Sequence, residues 1–335
     1  MSQRKLIVLP EDTIQPIMDG IAAARQELRI KMFIFTEPAL LEEVIKARHR
    51  GVNVRIMLNP FRSNGVQLNE STKTRLLEEG IELKDTSPDF KVSHEKSMVI
   101  DNHTAFIQSL NWGPSHLRET RDFAVATTHL KEVAEIIDCF ESDWHRNDFN
   151  PGETAHLIWC PANGRSRIAQ FIDSAKHTLF IQNDRYQDMV IIERLIRAAK
   201  RGVKVHVMSG PPHTLKKDKI VEGVGSLRVM HDVGIKIHNL KHLVIHAKML
   251  LADGEKAIVG SINLTTGSFD DRRELAIEID DHKLIERLHH LSHHDWKHSY
   301  PLDLSDKGIY NDLENRGGGG SEKLILNAEK RDRKK

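Results

Sequence analysis

The sequence predicts an α/β protein built from two similar halves. The segment EVIKARHRGVNV at residues 43–54 is echoed 151 residues later by RLIRAAKRGVKV at 194–205. An upstream pair of segments, 24–30 and 175–181, has the same offset. Each copy of the longer segment has the pattern of an amphipathic helix, a glycine at the helix exit and a short β-branched strand. One α/β plan is therefore expected twice in the chain.

The elements that follow the repeated segments come in the same order in both halves. In the first half we expect strands at 52–58, 91–101, 105–110 and 123–126 and a helix at 130–144. In the second half we expect strands at 203–208, 244–252, 257–259 and 275–279 and a helix at 283–296.

The chain is expected to divide into residues 1–150 and 151–316. A helical pattern ends at the turn residues Asn150, Pro151, Gly152 and Glu153, which mark the boundary. After Arg316, the glycine-rich run at 317–321 indicates a flexible linker or an added segment. The basic tail that follows, to residue 335, is left out of the fold.

Composition indicates a globular protein. The 335 residues are 29% charged and 39% apolar, and 49 Lys and Arg nearly balance 48 Asp and Glu. The near-zero net charge gives no long-range attraction for a polyanion. Only Cys139 and Cys160 are present, so we expect no disulfide framework and a cytoplasmic location. We expect no export signal and no transmembrane segment, so a lipid would be met from the water side.

Two sets of polar residues share one spacing. The first set is His94, Lys96, Asp101, Asn111 and Asp122, and the second is His246, Lys248, Asp253, Asn263 and Glu274. The step from His to Asn is 17 in both sets (111−94 and 263−246), and the step from His to the later acid is 28 (122−94 and 274−246). Two matches in register indicate a common function.

The residue types suit the cleavage of a phosphodiester. Residues i and i+2 share one face of a strand, so we expect His94 beside Lys96 and His246 beside Lys248. The transition state spreads negative charge over non-bridging oxygens, which ammonium and amide groups stabilise. One imidazole can attack phosphorus while the other protonates the leaving oxygen and then activates water or an alcohol.

This duplicated pattern resembles the HKD motif of the phospholipase D superfamily, and the similarity covers roughly residues 1–300. The resemblance implies a phospholipase D-like fold whose halves are related by a pseudo-twofold axis, with one shared cleft. It also implies catalysis through a phosphohistidine, with no metal and no other cofactor. By family precedent, His94 is the nucleophile and His246 is the acid.

The resemblance also assigns the remaining residues. The phosphate would be bound by Lys96, Lys248, Asn111 and Asn263, and the two imidazoles would be oriented by Asp122 and Glu274. Substrate would also contact the hydroxyls of Ser109 and Ser261, and the role of Asp101 and Asp253 would be structural. The halves differ in three places: Gly260 precedes Ser261 whereas Gln108 precedes Ser109, Glu95 follows His94, and the later acids differ in length. The two half-sites are therefore expected to be unequal.

Three further features have two interpretations each. The histidines His289, His290, His293, His294 and His298 could clamp a metal, although a solvated helix face is favoured. The lysines Lys216, Lys217 and Lys219 could receive an anionic substrate, although a solubilising loop is favoured. Trp112 could stack on a base or lie in a lipid groove, and packing against the next helix is at least as well supported.

Three functions remain open at this point. A phospholipid hydrolase or cardiolipin-synthase-like transferase would need apolar loops around its cleft and a peripheral contact with the membrane. A metal-independent nuclease would need a basic groove with stacking aromatics. The third function is an inactive HKD binding protein. The aromatic content of 5% and the near-neutral charge argue against tight binding of single-stranded nucleic acid. The broad resemblance to bacterial two-HKD proteins favours a phospholipid substrate, and a monomer is expected.

Overall fold

The computed structural model describes residues 3–61, 65–67, 69–152, 156–215 and 220–315. The predicted lysine loop at Lys216, Lys217 and Lys219 lies outside the described residues, as do Glu153 and the tail at 317–335. Within the described ranges the chain is α/β, with two sheets flanked by helices. The predicted fold class is confirmed.

The first half contributes β1 to β8 and α1 to α5. In chain order they are β1 (Arg4–Leu9), α1 (Gln15–Ala23), β2 (Glu27–Met32), α2 (Pro38–His49), β3 (Asn53–Leu58), α3 (Glu70–Glu78), β4 (Glu82–Asp85), β5 (Val92–Ser93), β6 (Ser97–Ile100), β7 (Thr104–Gln108), α4 (Pro114–Arg118), β8 (Thr120–Thr127) and α5 (Leu130–His145). Its sheet has the order β1-β8-β7-β6-β2-β3-β4.

The second half repeats this plan. Its elements are β9 (Leu157–Cys160), α6 (Gly164–Ser174), β10 (Thr178–Asn183), α7 (Met189–Lys200), β11 (Lys204–Met208), a 3₁₀ turn (Pro212–Thr214), α8 (Ile220–Asp232), β12 (Lys236–Leu240), β13 (Val244–Ile245), β14 (Lys248–Ala252), β15 (Lys256–Gly260), α9 (Thr266–Asp270), β16 (Arg272–Ile279), α10 (His282–Lys297), β17 (Ser299–Pro301) and α11 (Asp306–Asn315). The strand order β17-β12-β11-β10-β14-β15-β16, with β9 beside β16, matches the first sheet apart from β17.

The repeated helix exits and the core explain why the halves fold alike and stay together. Gly51 and Gly202 have φ of +88° and +92°, the left-handed conformation that lets a helix turn directly into the next strand. Buried residues of both halves also pack in one apolar cluster, which includes Val99 of β6 and Met249 of β14. The apolar surface between the halves is therefore part of the core.

The two strands predicted to carry the HxK residues are not continuous, and this prediction was wrong. Residues 91–101 form β5 and β6 with a break at residues 94–96, and residues 244–252 form β13 and β14 with a break at 246–247. The physical reason is a change of sheet. β5 pairs in parallel with β16 of the second half, whereas β6 pairs with β2 and β7 of the first half. Likewise β13 pairs with β8, and β14 pairs with β10 and β15.

Candidate active site

Each of the two histidines predicted to be catalytic lies where the chain crosses from one half to the other. The backbone N–H groups of His94 and Glu95 both donate to the carbonyl oxygen of Arg273, at 2.9 and 3.0 Å. In the other crossing, the N–H of His246 donates to the carbonyl oxygen of Arg121 at 3.3 Å. The main chain of each half is thus held against the strand of the other half that carries the later acid.

This crossing exchanges the acids between the halves. The Nδ1 atom of His94 is 2.9 Å from Oε2 of Glu274, and Nδ1 of His246 is 3.0 and 3.1 Å from the carboxylate oxygens of Asp122. Glu274 follows Arg273 directly in β16, and Asp122 follows Arg121 in β8. The sequence led us to expect that these acids would orient the imidazoles, but it gave no sign of the exchange.

Buried lysines accompany both imidazoles. Lys96 donates from Nζ to the carbonyl oxygen of His94 at 2.6 Å, and Lys248 donates to the carbonyl oxygen of His246. Both lysines are nearly inaccessible, at 1% and 2% exposure. Burial, together with the nearby charge of Lys248, lowers the pKa of Lys96 to about 7, although Glu274 opposes the shift. Lys96 is therefore at the margin of losing its charge near neutral pH.

The two asparagines keep unused hydrogen-bonding capacity. Asn111 and Asn263 are 2% and 4% exposed, and the Oδ1 atom of each has no hydrogen-bond partner among the described residues. Buried polar groups without partners are uncommon because desolvation is costly. An arrangement that leaves the same acceptor oxygen unsatisfied in both halves suits a site whose partner is a ligand.

The two serines and the two motif aspartates are engaged by the protein itself. Ser109 donates from Oγ to Asp122, and the Oγ of Ser261 accepts the N–H of Leu275 at 3.1 Å. Both serines are fully buried, and their predicted contact with substrate stays a prediction. Asp101 accepts backbone N–H groups of residues 25–27, and Asp253 accepts those of 176–178. These last contacts lie at the far ends of β6 and β14.

The electrostatic surroundings of the two His–acid pairs differ. Burial lowers the pKa of His94 well below its ordinary value, with further lowering by Lys96 and Arg272, and burial raises the pKa of Glu274. Burial also opposes ionisation of Asp122, but attraction to His246 and Lys248 outweighs it and lowers the pKa of Asp122. The surroundings of the His94–Glu274 pair thus favour a neutral imidazole, whereas those of the His246–Asp122 pair keep Asp122 ionised.

Three residues that sequence reasoning did not single out also contact the site. The ring of Phe33 meets the edge of His94 at 4.9 Å between centroids, and the ring of His116 meets His246 at 5.2 Å. Asp184 lies 3.2 Å from Lys248 Nζ. Burial lowers the pKa of His116 to about 3, and His246 adds to the shift, so His116 is neutral. A comparison of the two halves at the repeat offset would have drawn attention to these positions.

A buried ionic cluster lies directly behind the His94 segment. Lys31 Nζ is 2.9 Å from Glu95 and 2.7 Å from Asp143, and Arg273 is 3.1 Å from Asp143. Glu95, Asp143 and Cys139 offer potential metal-ligand atoms within 4.8 Å of one another. The ammonium of Lys31 already bonds both carboxylates, so the donor set does not fit a metal ion.

The remaining sequence features lie outside the site. Trp112 is fully buried, meets the ring of Phe35 at 4.8 Å between centroids and donates from Nε1 to Gln108 at 3.0 Å, so it packs inside the fold, whereas its packing against the next helix stays a prediction. The exposed pair His289 and His293 brings two Nε2 atoms to 3.2 Å. Within the described ranges no third His, Cys, Asp or Glu completes a metal site with them. Cys139 and Cys160 are both free and buried.

Comparison with known proteins agrees with the duplicated architecture. The family model described as "Cardiolipin synthase, PLD-like domain" matches twice, at residues 17–144 and 168–296. Cardiolipin synthase A of Pectobacterium carotovorum subsp. carotovorum is 25% identical over 337 residues, with 84% of this chain and 66% of that protein covered. Cardiolipin synthase of Staphylococcus aureus (strain Mu50) is 24% identical over 324 residues, with 83% and 64% covered. The chain thus spans about two thirds of these relatives.

Two solved structures share the fold. Phosphatidylserine synthase of Haemophilus influenzae Rd KW20 has a TM-score of 0.70 at 13% identity, covering 98% of this chain and 93% of that one. Polyphosphate kinase of Porphyromonas gingivalis has a TM-score of 0.70 at 15% identity, covering 90% and 48%. Among the described residues, no helix is both long and apolar enough to cross a bilayer. With both halves matched by one family model, the chain belongs to the phospholipase D superfamily, in the family of cardiolipin synthase PLD-like domains.

Proposed function

We propose that this chain is a phosphodiesterase that acts on phospholipids through a phosphohistidine, by hydrolysis or by phosphatidyl transfer. The observation that carries the proposal is the exchanged pairing, in which each imidazole is bound by the acid of the other half. Neither half alone contains a complete His–acid pair. The exchange therefore favours one composite site over two separate ones.

The contacts of His94 support its role as the nucleophile. Its Nδ1 atom lies 2.9 Å from Glu274 Oε2 and 3.2 Å from the carbonyl oxygen of Ser261. A carbonyl oxygen can only accept, so Nδ1 carries the proton and Nε2 holds a free lone pair. In the first step Nε2 forms a bond to phosphorus while the bond from phosphorus to the leaving oxygen breaks.

The contacts of His246 support its role as the acid and then the base. Asp122 keeps its negative charge and holds Nδ1 of His246 through both carboxylate oxygens. This carboxylate stabilises an imidazolium, which can give its Nε2 proton to the departing alkoxide. His246 then takes a proton from water or an alcohol, whose oxygen attacks phosphorus and releases His94.

The positive and amide groups of the site would stabilise the charge on the phosphoryl oxygens. Lys96 and Lys248 supply ammonium groups, and Asn111 and Asn263 supply amides, from corresponding positions of the two halves. This set contains the donors that an anionic phosphate needs. We therefore expect turnover to be insensitive to chelators.

A phospholipid is the favoured substrate class for two reasons. Relatives over most of this chain carry the name cardiolipin synthase. In addition, Val244 is 53% exposed only two residues before His246, as expected for a residue that contacts a membrane surface. We infer a peripheral position at the membrane, approached from the aqueous side. The aromatic ring at the site, Phe33, already contacts His94 and Lys96, which argues against base stacking.

The decisive test is a substrate panel in the presence of EDTA. Purified protein is incubated with phosphatidylglycerol vesicles, phosphatidylcholine vesicles, and single- and double-stranded nucleic acid. We expect phosphatidate or a transphosphatidylation product from lipid and no cleavage of nucleic acid. His94→Ala and His246→Ala serve as controls for contaminating activity. Cleavage of nucleic acid alone would replace this proposal with the nuclease, and binding without turnover would identify an inactive family member.

A further inference from the structure

Phe33 and Asp184 occupy the same position in the two halves. In the first sheet Leu28 of β2 pairs with Ile100, and in the second sheet Leu179 of β10 pairs with Ala252. Ile100 and Ala252 each lie six residues after a catalytic histidine. Phe33 and Asp184 follow these β2 and β10 residues by five positions each, so they extend the same strands toward the cleft.

This position gives the two half-sites unlike neighbours. In the first half the ring of Phe33 contacts His94, and Lys96 Nζ lies 5.2 Å from the ring centroid. The next residue there is the buried Ile34. In the second half Asp184 is 3.2 Å from Lys248 and 3.5 Å from Arg185, which stands in the place of Ile34. The neighbours of the first half-site are thus aromatic and aliphatic, and those of the second are charged.

A carboxylate at this place works against binding of a phosphate. Burial disfavours the charge of Asp184, but Lys248, Arg185 and His246 outweigh it and hold the pKa of Asp184 well below its usual range. The ionised carboxylate neutralises part of the charge that Lys248 would offer to the diester and repels the diester itself. Phe33 shows that the fold accepts an apolar residue at the corresponding position. We therefore expect that the unfavourable effect of Asp184 on phosphate binding is offset by a favourable interaction with another part of the substrate.

The position of Asp184 identifies that interaction. In an in-line displacement by His94, the leaving oxygen departs on the opposite side of phosphorus, beside the acid His246. Asp184 contacts Lys248, which follows His246 by two residues, and its side chain is 21% exposed. Its Oδ1 atom is buried against Lys248. A group attached to the leaving oxygen would therefore meet the partly exposed side chain at Oδ2, which lies 3.5 Å from Arg185 Nε.

We propose that Asp184 is the specificity-determining residue of the leaving-group subsite, where it accepts a hydrogen bond from a second hydroxyl or an ammonium group of the departing or accepting alcohol. This inference rests on the proposed function. It implies that polyol and amino-alcohol head groups are preferred over plain alkyl alcohols. The neutral ring of His116 contacts His246, the proposed acid of this step.

The first test compares two lipids that differ in this donor. Phosphatidylglycerol carries free hydroxyls on its head group, and phosphatidylethanol carries none. We expect the wild type to favour phosphatidylglycerol in kcat/KM by about tenfold or more, as lost charge-assisted hydrogen bonds typically require. Asp184→Leu should abolish this preference, and Asp184→Asn should retain part of it. The matched control Asp173→Asn changes an exposed aspartate that pairs with Arg194, and it should keep the preference.

The ratio of the two substrates separates specificity from a structural role. An equal loss on both lipids in Asp184→Leu would mean that Asp184 only positions Lys248, and it would overturn the inference. A wild type without preference would also overturn it. Thermal unfolding of each variant establishes that it is folded.

A binding experiment tests the role of Asp184 without requiring turnover. In His94→Ala protein, calorimetry measures the affinity for bis(glyceryl) phosphate and for diethyl phosphate, with and without Asp184→Leu. We expect the glyceryl diester to bind more tightly by about tenfold, and this advantage to depend on Asp184. If the wild type turns over no diester but the advantage is seen, the proposed function fails and the subsite stands. Equal affinities would overturn the subsite.

Discussion

The two half-sites contain the same residue types at the same spacing but have unlike surroundings. His94 lies against Phe33, with its Nδ1 held by Glu274 and a carbonyl oxygen. His246 is held by an ionised Asp122 and lies against the neutral ring of His116. The duplicated motif thus supplies two chemically equal groups with unlike neighbours, and this difference supports the proposed roles of His94 as nucleophile and His246 as acid.

The comparison extends to the residues behind the two histidines. In the first half Lys31 bonds Glu95 and Asp143 in a buried cluster. In the second half the corresponding aspartate, Asp295, is paired with Arg121 at 2.9 Å and also accepts a hydrogen bond from the neutral Gln182 at 2.8 Å. Ala247 stands there in the place of Glu95, and Gln182 stands in the place of Lys31. The second half therefore lacks both this carboxylate and this ammonium group. Charge is balanced in both halves by different means.

Removing either histidine should have the largest effect on activity. We expect His94→Ala and His246→Ala each to lower kcat on phosphatidylglycerol by about 10³-fold or more, because nucleophile and acid act in one displacement. Steady-state product formation measures the loss, with thermal unfolding as the control for folding. Substantial activity in either variant would show that the two half-sites do not act together in one reaction.

The buried cluster should give the next largest effect, on stability. Lys31→Gln leaves the carboxylates of Glu95 and Asp143 with one fewer cation, and we expect it to lower the free energy of unfolding by about 3–5 kcal/mol. Adding Glu95→Ala reproduces the arrangement of the second half. The double variant should therefore be more stable than Lys31→Gln alone, as measured by urea unfolding. A double variant as unstable as the sum of the single variants would show that the two residues are not coupled.

Replacing Glu274 and Asp122 by the corresponding amides tests which histidine is the nucleophile and which is the acid. We expect Glu274→Gln and Asp122→Asn each to slow turnover by about 10²-fold, because the imidazole loses its partner. With a p-nitrophenyl diester, whose leaving group needs no proton, Asp122→Asn should keep a rapid first burst and Glu274→Gln should not. Stopped-flow absorbance distinguishes these outcomes. The reverse pattern would exchange the roles of His94 and His246.

Much of this site follows from residue types and spacing, and the rest depends on contacts far apart in the chain. The repeat offset was sufficient to predict the two α/β halves, and the shared spacing within the two motifs was sufficient to find His94 and His246. The exchange of acids arises because β5 and β13, with two paired residues each, join the sheet of the other half. Strands this short have no periodicity to detect. The unequal pair Phe33 and Asp184 was visible at the repeat offset, but its meaning required the ion pair with Lys248.

The smallest expected effect concerns the pH dependence of the first half-site. The pKa of Lys96 is lowered to about 7, so its ammonium is present below that pH and is lost as the pH rises through it. We expect kcat/KM to fall by about tenfold per pH unit above this value. Lys96→Arg keeps the charge and should remove the decline, whereas the matched variant Lys248→Arg should retain it. A profile that is flat to pH 9 in the wild type would contradict the role of Lys96.

The most direct test of the shared site is to trap the covalent intermediate. His246→Ala protein is mixed with a p-nitrophenyl phosphodiester, which can leave without an acid, while the missing base prevents release of the adduct. Tandem mass spectrometry of the quenched protein should find the phosphoryl adduct on Nε2 of His94. An adduct on His246 in His94→Ala protein, with none on His94 in His246→Ala protein, would contradict the account.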